Sequence, residues 1–208
     1  MNIAGTEISP VRLAVPVIAM MAVVAASNVL VQYPVEAFGL NEVLTWGAFS
    51  YPVAFLVNDL TNRRFGPAVT RRVVYVGFAL AVMLSIWLAT SRIAVASGTA
   101  FLVGQLLDIG VFNRLRRQSW WQAPLAGSLL GSAIDTAIFF TLAFAGDPTM
   151  SDPVTYGLAG AAVTVPLWMG LAFFDFLVKV GCALLALIPY GAVMGWLKPW
   201  SGAPAPAR

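Results

Sequence analysis

The sequence predicts an all-α, polytopic membrane protein with six transmembrane helices. Three observations lead there. Hydrophobic residues make up 60% of the 208-residue chain and charged residues only 10%, whereas soluble domains run near about 45–50% and 25%. Six apolar segments reach the roughly 17–20 residues that a bilayer crossing needs. With six crossings, almost every basic residue falls on one side of the membrane.

Residues 1–12 form a short polar N-terminus. Span 1 is Leu13 to Leu30; a signal peptide is the alternative, but Ser27-Asn28-Val29 is a poor small-residue cleavage site and five more hydrophobic segments follow. Span 2 runs from Leu44 to Leu60 and stops at Asn58-Asp59-Leu60-Thr61-Asn62-Arg63-Arg64. Span 3 is Val73 to Ala89, span 4 Ile93 to Phe112, and span 5 Ala123 to Ala145. The stretch from Leu158 to Leu187 is longer than one crossing needs, so an extra-membrane turn is predicted before Pro166, with span 6 after it. The transmembrane domain thus covers residues 13–196. Residues 197–208, with Ser201-Gly202-Ala203-Pro204-Ala205-Pro206, read as a disordered cytoplasmic tail.

The basic residues orient the bundle. Arg63, Arg64, Arg71 and Arg72 lie between spans 2 and 3, and Arg114, Arg116 and Arg117 between spans 4 and 5. Arg12, Lys198 and Arg208 lie at the two ends. Six crossings put all ten on one side, which is the cytoplasm by the positive-inside rule. The other side holds Glu36, Glu42, Asp147 and Asp152 with Arg92 alone, and Lys179 stays within span 6. Five or seven crossings would scatter the arginines.

Composition also removes classes of chemistry. Without histidine, Ser-His-Asp and Cys-His machinery and histidine-based metal sites are excluded. The lone Cys182 lies in an apolar run and reads as a structural thiol. There is no Gly-x-x-x-x-Gly-Lys-Ser/Thr string for nucleotide and no basic-and-aromatic surface for nucleic acid. No cofactor and no metal site are expected.

Ionisable groups within spans cost a few kcal/mol each, about 2.5–3.5 on the lenient insertion scale, and therefore mark function. Asp59 and Asp108 sit near the cytoplasmic ends of spans 2 and 4, where Arg63 and Arg114 offer interfacial ion pairs as a structural alternative. Asp135 lies roughly 18 Å into span 5 and Asp175 roughly 15 Å into span 6, at about 1.5 Å per residue, which places both near the midplane. Lys179 is one turn after Asp175, so the three are expected to form one midplane cluster with Asp135 as the free acceptor. A salt bridge that only locks helices together is the competing reading. Gln105 lies three residues before Asp108, and Asn58 adjoins Asp59. Tyr51 and Phe55 stack above Asp59 at multiples of four, and Asn28 lies near the outer end of span 1. Carboxylates, amides, a lysine and aromatics suit a flat, hydrogen-bonding, neutral or cationic solute rather than a lipid. Gly127, Ser128, Gly131 and Ser132 read as a close-packing stripe on span 5.

Several strings resemble the queuosine precursor transporters, the YhhQ-type vitamin uptake transporter family. They are Asn28-Val29-Leu30-Val31, Tyr51-Pro52, and Asn58-Asp59-Leu60-Thr61-Asn62-Arg63-Arg64-Phe65-Gly66. The most specific run is Arg92-Ile93-Ala94-Val95-Ala96-Ser97 continuing to Gly104-Gln105-Leu106-Leu107-Asp108 and Val111-Phe112-Asn113-Arg114-Leu115-Arg116. Trp120-Trp121-Gln122-Ala123-Pro124, Asp135-Thr136 with Phe139-Phe140, Asp175 with Lys179, and Pro189-Tyr190-Gly191 complete it, from about Asn28 to Gly195. The resemblance implies a six-helix fold similar to energy-coupling-factor substrate-binding subunits. It also implies uptake of 7-cyano-7-deazaguanine, 7-aminomethyl-7-deazaguanine or queuine through the cell inner membrane for tRNA modification. The segment from Gly146 to Val165 matches no family motif and is expected to be an outer cap.

Two other readings stand beside a solute carrier. A binding subunit served by an ATPase partner would use a small-xxx-small pair such as Ala22 and Ala26 for docking. An intramembrane enzyme would use two midplane aspartates as a dyad, but the Gly-x-Gly-Asp context of aspartyl intramembrane proteases is missing: Asp135 follows Ser132-Ala133-Ile134 and Asp175 follows Phe173-Phe174. A carrier working alone draws on an ion gradient or on trapping of its substrate inside. Proton coupling, sodium coupling and facilitated diffusion are all compatible with these residues, as are monomer and oligomer.

Overall fold

The computed structural model describes residues 2–3, 6–7, 10–37, 44–158, 161–197 and 199–200. A two-residue ladder, β1 (Asn2–Ile3) with β2 (Thr6–Glu7), precedes α1 (Pro10–Leu30). Then come α2 (Gly47–Ser50), α3 (Val53–Phe65), α4 (Pro67–Leu88), α5 (Ser91–Leu115) and α6 (Gln122–Phe144). A hairpin of β3 (Pro153–Leu158) and β4 (Ala161–Pro166) leads into α7 (Leu167–Met194). Among the described residues five helices, α1, α4, α5, α6 and α7, are long and apolar enough to cross a membrane by themselves.

The second crossing is built differently from the single helix expected over Leu44–Leu60. It is broken at Pro52, which has no N–H to continue the helical ladder. Tyr51 and Pro52 nevertheless keep right-handed helical dihedrals, and Ala54 and Phe55 donate to the carbonyls of Tyr51 and Pro52 in tighter, three-residue turns. The path from 46 to 65 is therefore one kinked crossing of about 30 Å at about 1.5 Å per residue. Its two helical pieces, of 4 and 13 residues, are each too short to cross a membrane alone, unlike the other five helices.

The arginines expected in a loop between spans 2 and 3 are helical instead. Arg63 and Arg64 occupy the last turn of α3, and Arg71 and Arg72 lie on α4. The connection is Gly66 alone, with φ of 80°, a dihedral that costs glycine little. Pro67 then starts α4 with the φ a first helical residue needs.

At the opposite end, the Thr90 hydroxyl caps α5 by accepting from Ile93 N. Arg92, the basic residue on this side, donates to the Leu142 and Ala145 carbonyls at 2.9 and 2.6 Å and so closes the C-terminus of α6. Asp147 accepts from Thr149 N and Oγ1 at 2.9 and 2.7 Å, and these bonds hold its carboxyl below the usual range. The extra-membrane turn before Pro166 is the β3–β4 hairpin, paired from Pro153 with Pro166 to Leu158 with Ala161. Tyr156 of this hairpin lies on α7, with its ring 5.7 Å from that of Phe174. Glu42, Lys198 and the 201–208 tail lie outside the described residues.

Polarity is distributed as a bilayer demands. Val15, Ile18, Ile86, Leu185 and Ile188 point outward, while Asn58, Asp59, Gln105, Asp108, Asp135 and Lys179 are buried between helices. Met20, Val24, Ala54, Val73, Val74, Phe101 and Ile109 form an apolar core joining α1, α3, α4 and α5. The most extensive helix contact is α5 on α6. A Cβ on Gly104 would lie 3.1 Å from the Gly131 carbonyl, and one on Gly131 would lie 3.0 Å from the Gly104 carbonyl. Removing both side chains lets the two backbones touch, as the expected small-residue stripe on span 5 requires.

Candidate functional site

A cavity of about 790 Å³ opens at the end of the bundle that carries Arg92. Its walls include Asn28 of α1, Gly47 and Ala48 of α2, Tyr51 at the kink, Trp87 and Thr90 at the α4–α5 junction, Phe139 and Phe140 of α6, and the inward face of α7. Asn28 is held in place by two contacts. Its amide donates to Val24 O at 2.9 Å and its carbonyl accepts from Ser85 Oγ at 3.2 Å.

The floor is charged. Lys179 Nζ lies 2.7 Å from Asp135 Oδ2 and 2.6 Å from Asp175 Oδ2. It also donates to Thr136 Oγ1 at 2.9 Å, and that hydroxyl in turn donates to Asp175 Oδ2 at 2.7 Å. Helical spacing explains half of this: Asp175 and Lys179 are one turn apart on α7. The other half is the α6–α7 contact, which brings Asp135 and Thr136 to the same ammonium. Asp135 is therefore not the free acceptor expected, because Nζ reaches across the helix interface and divides itself between the two carboxylates. All three ammonium donors are used, whereas Oδ1 of each aspartate remains open to a ligand. Two carboxylates against one ammonium leave a net charge of about −1. The Tyr51 ring lies 5.9 Å from Nζ, close enough for its π face to share in holding the cation.

The other expected site residues form a second layer nearer the arginine-rich end and do not line the cavity. Asn58 Nδ2 donates to Asp108 Oδ2 and to Gln105 O, the latter at 3.2 Å. Ser128 Oγ donates to Asp59 Oδ2 at 3.3 Å. Asn58, Gln105 and Asp108 are each 0% exposed and Asp59 is 2% exposed. The alternative of interfacial ion pairs fails for both aspartates. Asp108 and Arg114 are six residues apart, hence on different faces of α5, and Arg114 is exposed. Arg63 lies beside the Tyr190 hydroxyl rather than pairing with Asp59.

Phe55 separates the two layers. It is 2% exposed and packs on the bare backbone at Gly131, so it serves as a partition rather than as the cavity lining expected. Above it, Tyr51 meets Phe101 edge-on at 6.0 Å. A second closure lies beyond the inner layer. Arg116 Nη2 donates to Asn62 O and Oδ1 at 2.7 and 3.2 Å, and its guanidinium stacks 5.1 Å from the Trp200 ring. Trp200 N donates to Arg63 O at 2.9 Å. The beginning of the expected disordered tail is thus folded back onto the arginine-rich end of the bundle.

Thr136, Trp87, Phe139 and Phe140 were not among the residues expected to bind a ligand. Thr136 had a signal in its adjacency to Asp135, and Phe139 follows Asp135 by four residues, one turn on. Trp87 lies in the last turn of α4 between Ile86 and Leu88, and nothing in the pattern points to it.

Residues 45–91 and 85–193 match the family described as "Putative vitamin uptake transporter". The chain is 36% identical to the queuosine precursor transporter of Escherichia coli over 84% of this chain and 83% of that one. It is 34% identical to a protein of Haemophilus influenzae named probable queuosine precursor transporter, over 83% and 82% of the two chains. The Bacillus subtilis protein of the same name is 26% identical, over 79% and 76%. No solved structure matches, so the likeness to energy-coupling-factor subunits rests on the sequence resemblance alone. A multi-pass bundle with a cavity floored by charged side chains, matched along most of its length to named transporters, belongs to the vitamin uptake transporter family.

Proposed function

We propose that this protein imports a queuosine precursor, a 7-deazaguanine base, across the cell inner membrane, with both termini in the cytoplasm. The observation that carries the proposal is the cavity floor: two carboxylates that each keep an oxygen open, in a chamber walled by Tyr51, Phe139 and Phe140. A deazaguanine presents a planar ring for stacking and an amidine edge rich in N–H donors. Aromatic faces suit the first, and carboxylate oxygens suit the second. An aminomethyl substituent would add a positive charge that the net −1 of the floor favours.

In this reading the described conformation faces outward. The base enters beside Trp87 and Thr90, settles on Asp135 and Asp175, and is kept from the cytoplasm by Phe55 and by the Arg116–Trp200 closure. Alternating access requires those two barriers to part while the outer mouth narrows. Lys179 holds the floor together and stays paired throughout, since it has no spare donor to offer. The chain acts as a carrier and not as an enzyme: bonding Lys179 to both aspartates suits a binding floor better than the proton-sharing dyad an acid/base enzyme would need.

Rescue of tRNA queuosine tests the proposal. Cells lacking precursor synthesis and their own transporter should regain queuosine when this chain is expressed and either 7-deazaguanine precursor is supplied. Absence of queuosine with the protein present in the membrane would refute it.

A further inference from the structure

The inner layer carries an inference about a second ligand. Asn58 Oδ1, Asp59 Oδ1, Gln105 Oε1 and Asp108 Oδ1 are all buried and all without a donor. Asn58 cannot relieve this by turning its amide over, because Nδ2 is already directed at two acceptors, Asp108 Oδ2 and Gln105 O. Gln105 is 0% exposed with neither amide atom bonded, and it lies one turn from Asp108 on α5. A buried amide left unpartnered costs about 1–3 kcal/mol, and here the three other open oxygens belong to Asn58, which bonds the Gln105 carbonyl and Asp108, to Asp108 itself, and to Asp59, next to Asn58 in the chain.

We propose that Asn58, Asp59, Gln105 and Asp108, with the Ser128 hydroxyl, form a binding site for a sodium ion. The open atoms are mostly hard oxygen acceptors, the donor set that alkali and alkaline-earth cations take. Several open acceptors within one protein-enclosed cluster call for an occupant that binds several oxygens at once. A single proton would satisfy one of them. Asp59 and Asp108 bring negative charge into the membrane, so the occupant is a cation. Four open oxygens and one hydroxyl fall short of the roughly six to eight oxygens that calcium takes, which favours sodium.

The elements involved give the ion a mechanical role. The donors come from α3, α5 and α6, and Phe55 lies one turn before Asp59 on α3. Occupancy ties these three helices together directly beneath the partition between the cavity and the inner end. Sodium bound there would hold the partition shut from below, and its departure to the cytoplasm would free α3 to move. That coupling role rests on the transport reading, whereas the binding of sodium does not.

The test therefore uses sodium alone. The full-length protein in nanodiscs is titrated with radioactive sodium, with potassium or choline as the replacement ion and no organic substrate present. Saturable binding near one ion per chain is expected, weakened at least tenfold by Asp108→Asn and several-fold by Ser128→Ala. The serine variant removes one oxygen without changing charge and keeps the test valid if Asp108→Asn fails to assemble. Absence of saturable sodium binding by the wild-type chain, equal binding by both variants, or displacement by calcium at far lower concentration than sodium would overturn the proposal. Should sodium bind while the queuosine rescue fails, the site stands and the substrate reading falls.

Discussion

Replacing Lys179 by methionine tests the cavity floor by removing its cation. The substitution keeps an unbranched side chain of similar length but strands Asp135 and Asp175, which both bond Nζ at under 3 Å. Breaking one buried ion pair from one side costs about 3–5 kcal/mol. Asp175 is the less costly to strand, because its side chain is 15% exposed to the cavity against 4% for Asp135. The loss is thus set mainly by Asp135, and about 3–5 kcal/mol is a large share of the roughly 5–15 kcal/mol that holds a typical protein together. Membrane abundance and the thermal midpoint, read by fluorescence-detected size exclusion, should both drop sharply for Lys179→Met. The triple variant Lys179→Met, Asp135→Asn, Asp175→Asn has no stranded charge and should recover abundance while remaining inactive in uptake. Wild-type abundance and melting for Lys179→Met alone would refute the shared-cation geometry.

Other expectations follow from the same contacts. Asp135→Asn keeps size and polarity, so the protein should reach the membrane normally while precursor uptake falls at least tenfold; unchanged uptake would clear Asp135 of any role in recognition. Gly131→Ala places a methyl 2.6 Å from Phe55 Cε1 and 3.0 Å from the Gly104 carbonyl, so overpacking of about 1–3 kcal/mol should lower the melting point. Adding Phe55→Leu should recover part of that loss, and strict additivity would show that the two residues do not touch. Trp200→Ala should loosen the inner closure, read as faster labelling of an Asn62→Cys probe from the cytoplasmic side. A reporter fused after Arg208 should be cytoplasmic and one inserted near Asp152 external, and the reverse would break the orientation.

Much of this architecture is readable from the chain because a bilayer imposes simple rules on it. Apolar runs of spanning length announced α1, α4, α5, α6 and α7, and the pairing of Asp175 with Lys179 followed from a spacing of one turn. The failures are equally physical. The break at Pro52 is hidden because the apolar run continues on both sides of it, from Leu44 to Val57. Asp135 and Thr136 meet Lys179 across a helix interface, a contact that spacing within either helix cannot reveal. Asn58, Asp59, Gln105 and Asp108 look like cavity lining by chemistry. Only the depth of Phe55 against Gly131 places them in a separate layer. Trp200 follows a proline, Pro199, in a tail of small residues, and its docking on Arg116 depends on tertiary neighbours alone.

The chamber over Asp135, Asp175 and Lys179 is where the proposed deazaguanine would bind. Direct binding of labelled 7-cyano-7-deazaguanine to the purified protein tests that placement without any transport step. Saturable binding by the wild-type chain is expected, weakened at least tenfold by Asp135→Asn and by Tyr51→Ala, with Trp200→Ala binding like wild type. Equal affinity in Asp135→Asn, Tyr51→Ala and the wild-type chain would contradict the placement.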